Sequence, residues 1–135
     1  MEIEKRKPAY ESLKFYQDIS ELRKLISAIT KRFEKTHIRL VSQMRDAARS
    51  AKQNVREGYR KGSAGEFAHS IRISQGSLEE LGGDVNDCYE DGLIDKEEFD
   101  ILCGLIDSAT FLSGRYLISL EKLKNDGKWK MPFSK

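Results

Sequence analysis

The sequence contains few of the residues that characterise disulfide-bonded, loop-dominated or membrane-spanning proteins. Its two cysteines, Cys88 and Cys103, are too few and too far apart for a disulfide scaffold or a four-ligand zinc site, so we expect them as reduced core residues. Two prolines and ten glycines are too few for a loop-dominated chain. No run of about 18 apolar residues occurs, and the N-terminus lacks a signal peptide's apolar segment, which predicts a cytoplasmic protein without membrane contact.

What the chain does contain is typical of one helical domain. Its 135 residues can bury a single sizeable core. Six Phe, five Tyr and one Trp argue against disorder, although 34% of the residues are charged. The high content of Glu, Lys, Leu and Arg favours helices. Composition therefore predicts an all-α fold.

The net charge of +2 hides a marked asymmetry along the chain. Residues 1–39 and 40–77 each carry +4, residues 78–120 carry −9, and residues 121–135 carry +3. Such polarity suits either an anionic partner or like subunits that dock a basic face against an acidic one.

Apolar residues recur at spacings of three and four in four segments, which predicts four amphipathic helices. The first runs from about Tyr10 to Glu34, and the second ends before Gly62. The third begins at the Ser63 cap and the fourth runs from about Lys96 to Lys124. Short turns make neighbouring helices antiparallel, so we predict an up-down-up-down four-helix bundle.

The turns carry helix caps in the sequence. Ser63 precedes Glu66 with the spacing of a capping box, and Asp95 with Glu98 repeats it. Gly92 follows the third helix as a stop signal. We divide the chain into an N-terminal extension (1–9), the bundle (10–124) and a basic tail (125–135). The tail carries Trp129, Met131 and Phe133, and either docks on another surface or is a frayed terminus.

Five cations of helix two fall on one stripe about 80° wide when each residue advances by about 100°. They are Arg45, Arg49, Lys52, Arg56 and Arg60. The stripe points away from the apolar arc and contains no Glu four residues from a member. It is suited to tracking a phosphate backbone, and a solvated charged face is the alternative.

A second polar group borders the apolar arc of the same helix. Its members are Gln43, Ser50, Asn54 and Glu57, and the third helix offers them Ser70, Ser74, Ser77 and Glu80. Polar residues at the edge of a helix contact usually hydrogen-bond across it. We predict a structural network there, with a small-ligand site as the alternative.

Sequence motifs for metal binding and for catalysis are incomplete or absent. Residues 87–98 match a calcium-binding loop at five positions, but Tyr89 stands where a ligand is needed, so a hairpin turn is favoured. His37 and His69 lack companions at metal-ligand spacing. No nucleophile motif or phosphate-binding loop occurs. We therefore predict a protein that is not an enzyme and has no catalytic residues, metal or cofactor.

The motifs Q-M-R-D-A-A-R-S-A-K-Q-N-V-R-E-G (43–58), E-F (66–67) and G-S-L-E-E-L (76–81) resemble a known family. It is the four-helix-bundle family encoded in bacterial 23S rRNA intervening sequences, and the resemblance runs from about Leu13 to Leu123. It implies a ring-like homopentamer that binds RNA or ribosomal components. The family is also similar in fold to the accessory protein of diversity-generating retroelements. This chain departs from the family pattern at Glu34, Asp46 and Arg56.

Three hypotheses follow. The first is a non-enzymatic, oligomeric RNA-binding protein, in which Lys61 and Arg72 join the five stripe cations in contacting phosphates. The second is an adaptor whose basic face docks a protein such as a reverse transcriptase. The third is a purely structural oligomer whose charge asymmetry only organises assembly.

Overall fold

The computed structural model of the chain describes residues 8–127 and contains four α-helices over that range, with no strand. The helices are α1 (Lys14–Ile29), α2 (Ile38–Arg60), α3 (Ala64–Glu90) and α4 (Lys96–Asn125). Each helix packs against two neighbours in the bundle. Both α1 and α3 contact α2 and α4. The predicted all-α four-helix architecture is confirmed. Most of the predicted extension lies outside the described residues, and so do residues 128–135 of the predicted tail, which include Trp129, Met131 and Phe133; Asn125, placed in the tail by the prediction, is the last residue of α4.

The first predicted helix is shorter than its apolar periodicity suggested. Residues Ala9–Ser12 and Thr30–Phe33 form 3-10 turns that flank α1. Leu13 separates the first turn from α1 because its backbone is extended, with φ −70° and ψ 127°. The apolar spacing continues across this break, so periodicity alone does not reveal it.

The turns between helices follow the sequence signals. Gly62 and Gly92 have φ angles of 85° and 75°, the left-handed region that favours glycine after a helix. The Ser63 hydroxyl accepts a hydrogen bond from the Glu66 amide at 3.1 Å. At the start of α4, the Asp95 carboxylate accepts from the Glu98 amide at 2.8 Å, and the Glu98 carboxylate accepts from the Asp95 amide at 3.0 Å. These caps fix where α3 and α4 begin.

The core is apolar along the whole bundle. Its largest fully buried side chains come from all four helices and include Ile19, Leu22, Ile26, Met44, Val55, Phe67, Ile71, Leu78, Leu81, Val85, Leu102 and Leu120. Both cysteines are free thiols. Cys88 is fully buried beside Met44, and burial raises the pKa of its thiol to about 11.

Helix α4 is more apolar than its packing requires. It is the one helix within residues 8–127 that is long and apolar enough to cross a membrane by length and composition, a test that a core helix of a soluble protein also passes. An 18-residue window of it has a mean hydropathy of 1.3, yet only 22% of that window is buried. Its inner face supplies Leu102 and Leu120 to the core, while Phe111 and Ile118 lie exposed on the outside.

Candidate nucleic-acid interface

Most of the cations predicted on helix two lie on the outer surface of α2. Arg49, Arg60 and Lys61 are exposed, and Lys52 and Arg56 are half-buried. None of these five side chains forms an ion pair or hydrogen bond with another part of residues 8–127. No carboxylate among the described residues therefore forms an ion pair with any of the five.

Two other predicted cations are already engaged within the chain. The Arg45 guanidinium donates to the Thr30 hydroxyl at 3.0 Å and to the Glu34 carboxylate at 2.7 Å. Arg72 lies on α3 and donates to the Glu121 carboxylate of α4 at 2.7 Å. Arg45 thus ties the start of α2 to the turn before it, and neither residue has an uncompensated charge.

Helix α1 adds two cations to the α2 surface that sequence reasoning missed. Arg23 and Lys24 lie close enough to Lys52 to lower the pKa of its ammonium group. Burial lowers that pKa most, followed by the positive charges of Arg23, Arg56 and Lys24, and Glu11 alone raises it. The short turn between α1 and α2 predicts that the two helices lie side by side, and this is the sequence signal that could have identified Arg23 and Lys24.

We call the combined surface the cationic face. It comprises Arg23, Lys24, Arg49, Lys52, Arg56 and Arg60, whereas Lys61 lies about 100° beyond Arg60 around the helix axis. The Lys52 ammonium lies 5.9 Å from the centre of the Tyr16 ring, so its stem covers an apolar wall while its charge stays at the surface. Crowded cations of this kind favour an anion that bridges several of them.

The aromatic residues beside this surface are unsuited to stacking on bases. Tyr16 and Tyr59 are 6% and 4% exposed, and the Tyr59 ring packs against Tyr10 and Phe67 in the core. Stacking needs an open ring face. The cationic face is therefore built for phosphate contacts.

The second predicted polar group lies along the contact between α2 and α3. The Gln43 amide donates to both carboxylate oxygens of Asp84, at 3.0 and 3.2 Å. The Ser77 hydroxyl donates to the Ser50 hydroxyl at 3.0 Å, and the Asn54 amide donates to the Ser50 carbonyl at 2.9 Å. The Gln43–Asp84 and Ser77–Ser50 bonds link α2 to α3 at the edge of the core, whereas the Asn54–Ser50 bond lies within α2.

Two members of that group remain apart from it. Glu57 and Glu80 are exposed and make no hydrogen bond or ion pair within the described chain. Asp84, which sequence reasoning missed, is the carboxylate that joins the network in place of Glu57 and Glu80. Burial raises the pKa of the Asp84 carboxyl, and the Gln43 hydrogen bond opposes that shift. No periodic pattern in the sequence marks Asp84, because its partner lies on another helix.

The turn between α3 and α4 uses its acidic residues to hold the hairpin. Asp95 and Glu98 cap α4, and Glu98 also accepts two hydrogen bonds from Arg32, at 2.6 and 2.8 Å. His37 pairs with the Thr36 hydroxyl at 2.9 Å. Residues 8–127 contain no group of three or more His, Cys, Asp or Glu side chains that could hold a metal ion.

Together the geometry defines an antiparallel four-helix bundle with one cationic face built by α1 and α2. A family model described as 23S rRNA-intervening sequence protein matches residues 11–112, which span α1 to α3 and the first half of α4. The chain belongs to this family, as the sequence motifs predicted. A comparison with curated proteins finds no match.

Proposed function

We propose that this protein is a homo-oligomeric RNA-binding protein that grips phosphates with its cationic face. The observation that carries the proposal is the group around Lys52, where Arg23, Lys24 and Arg56 share one surface with a single opposing carboxylate, Glu11. Cations that are held close together and outnumber nearby acids bind polyanions, because each contacted phosphate releases condensed counterions. The family's connection with 23S rRNA intervening sequences makes RNA the polyanion to test first.

The mode of binding follows from the side chains available. Phosphate contacts position a protein on a nucleic acid without reading its sequence. We therefore propose binding with low sequence specificity, in which Arg49, Lys52 and Arg56 are the central contacts. Arg45 and Arg72 contribute less, because Glu34 and Glu121 already compensate their charges.

Oligomerisation would multiply these contacts. A homopentameric ring is the arrangement that the family resemblance implies, and it would present the cationic face several times to one RNA. Affinity should then fall steeply with salt, with a slope near −0.9 for each duplex phosphate contacted. The function proposed needs no catalytic residue or cofactor, and it suits a cytoplasmic protein.

The test is a titration against structured RNA at about 50 and 200 mM salt, with the mass of the protein measured in the same buffers. The variant Arg49→Glu, Lys52→Glu, Arg56→Glu reverses the centre of the cationic face. Its matched control reverses three other exposed cations, Lys31, Lys35 and Arg39.

We expect the first variant to lose RNA binding with its mass unchanged, and the control to keep most of the affinity. Failure of the native protein to bind at the lower salt, or equal binding by both variants, would overturn the proposal. A protein that binds no RNA but captures a reverse transcriptase through the same face would support the adaptor alternative. Loss of the oligomer in the first variant would support the purely structural one.

A further inference from the structure

The outer surface of α4 is an apolar stripe that nothing in the bundle covers. Ile118 is 73% exposed and Phe111 is 62% exposed, the highest values for large apolar residues of this helix. Isolated exposed apolar residues are common on soluble proteins. Here they lie seven residues apart on one helix and share its outer face, which is the pattern of a helix that packs against another helix.

The charges on this stripe are ordered along the helix. At about 100° per residue, nine exposed residues of α4 fall within about 40° of Phe111, on the side opposite the buried Leu102 and Leu120. Glu97 and Asn125 are the outermost, each fourteen residues from Phe111, and the other seven lie between them. We call these seven the α4 stripe, and in chain order they are Asp100, Gly104, Asp107, Phe111, Arg115, Ile118 and Lys122. The half before Phe111 is acidic with a glycine, and the half after it is basic with an isoleucine.

The order is also symmetric about Phe111. Asp107 and Arg115 lie four residues from it on either side, and Gly104 and Ile118 lie seven residues away. Asp100 and Lys122 complete the pattern at eleven residues. An antiparallel copy of the same helix, centred on Phe111, therefore places each residue opposite its complement.

We propose that α4 pairs with α4 of a second copy of this chain, antiparallel and about a two-fold axis that passes at Phe111. In such an isologous contact, residue i of one copy meets residue j of the other, and j meets i. Asp107 of each copy then faces Arg115 of the other copy, so this pair occurs twice in the contact. Each Ile118 packs over Gly104, and the two Phe111 rings meet at the axis.

The local geometry supports each of these contacts. A Cβ atom at Gly104 would meet nothing within 4 Å, so there is room for the Ile118 side chain of a second copy. The Arg115 guanidinium lies 5.7 Å from the centre of its own Phe111 ring, which holds it along the stripe. Asp107 has no ion-pair partner among residues 8–127. Asp100 already pairs with Lys96 at 3.2 Å, so the outer Asp100–Lys122 pair adds less.

The charge order of the α4 stripe favours a second copy of the chain as the partner. The acidic half of one stripe lies opposite the basic half of the other when the two helices are antiparallel. The pairing does not depend on RNA binding, since the cationic face lies on α1 and α2. A contact of this kind closes on two copies, so it predicts an even number of chains in solution. If the ring implied by the family resemblance forms through another face, the α4 contact would join two rings.

The test exchanges the charges of the central pair. Asp107→Arg places two arginines opposite each other, and Arg115→Asp places two aspartates opposite each other. Each single variant should raise the Kd of the two-fold contact by at least about tenfold, because like charges face each other twice. The double variant carries both changes in one chain and should restore the native mass. Mixing the two single variants should also restore it, with one copy of each in every pair.

Both substitutions lie at exposed positions, and circular dichroism checks that the helices remain. Lys31→Asp is the matched control, an exposed charge change outside the stripe that should leave the mass unaltered. Phe111→Lys gives a second route, because it places two ammonium groups at the proposed axis and should separate the copies. A native monomer at about 100 µM, an odd-numbered assembly that the single variants leave intact, or a double variant that stays dissociated would each overturn the proposal.

Discussion

A Cβ atom added at Gly58 would lie 2.3 Å from the Cβ of Ser70 and 2.5 Å from its hydroxyl oxygen. These residues lie where α2 and α3 approach most closely near the Gly62 turn, and both are buried. The next atom, the Phe67 Cα at 3.5 Å, is at ordinary van der Waals distance, so the clash is with the Ser70 side chain. The close approach of the two helices therefore depends on the absence of a side chain at Gly58.

We expect Gly58→Ala to lower the free energy of unfolding by about 1 to 3 kcal/mol, since an extra methyl group in a packed contact forces the helices apart. The better helix propensity of alanine, worth about 1 kcal/mol, offsets only part of this cost. Gly76→Ala is the control, because a Cβ there meets nothing within 4 Å and should stabilise the helix by about 0.5 to 1 kcal/mol. Urea denaturation of both variants measures the difference. Equal effects from both would contradict the packing argument.

Arg45 and Arg49 lie one turn apart on α2 and should behave differently when changed to glutamine. Arg45→Gln removes the Glu34 ion pair and should cost about 1 kcal/mol of stability, with little effect on the salt dependence of RNA binding. Arg49→Gln should leave stability within about 0.5 kcal/mol and reduce the salt slope by about 0.9 for a duplex ligand. Thermal melts and salt titrations of both variants give the two readouts. The reverse pattern would place the RNA contact at Arg45 instead.

The four helices could be predicted because each leaves a local signal in the sequence. Apolar spacing marks the buried face, and cap residues such as Ser63 and Asp95 mark where a helix begins. The break at Leu13 could not be predicted, because an extended residue between two helical turns leaves the apolar spacing unchanged. Apolar periodicity shows which face of a segment is buried, but it does not show whether the helix is continuous.

In the candidate site, only the relationships between residues of the same helix could be predicted from the sequence. A helical wheel places Arg49 and Arg56 on a common stripe, because both lie on α2. It cannot show that Glu34 compensates Arg45, or that Arg23 joins the same surface, because those relationships cross between helices. Residues whose role depends on a partner in another helix, Asp84 included, require the tertiary structure.

The Arg32–Glu98 pair should make stability depend on pH. Hydrogen bonds from Arg32 are the main cause that lowers the pKa of the Glu98 carboxyl, so the folded state favours its charged form. The stabilisation is present above the ordinary glutamate pKa of about 4.3 and is lost as the pH falls through the lower folded value. Glu98→Gln should cost about 1 to 2 kcal/mol near pH 7 and much less near pH 3.

Urea denaturation of the native protein and of Glu98→Gln at several pH values tests this expectation. Glu97→Gln is the control, because Glu97 lies in the same helical turn but makes no ion pair within the described chain. A constant difference between native protein and Glu98→Gln from pH 3 to pH 7 would show that the lost stabilisation is steric and not ionic.

Asp84 should show the opposite pH dependence from Glu98. Burial is the largest influence on its carboxyl and raises the pKa, so the folded state holds the proton more tightly than the unfolded chain, whose aspartate pKa is about 3.9. Stability from this group is therefore greatest at low pH and falls as the pH rises through the folded value. Asp84→Asn keeps a carbonyl oxygen to accept the Gln43 amide and removes the buried charge. We expect this variant to be more stable than the native protein at pH 7 and similar to it near pH 3. Lower stability at pH 7 would mean that the ionised carboxylate strengthens the Gln43 hydrogen bond by more than its burial costs.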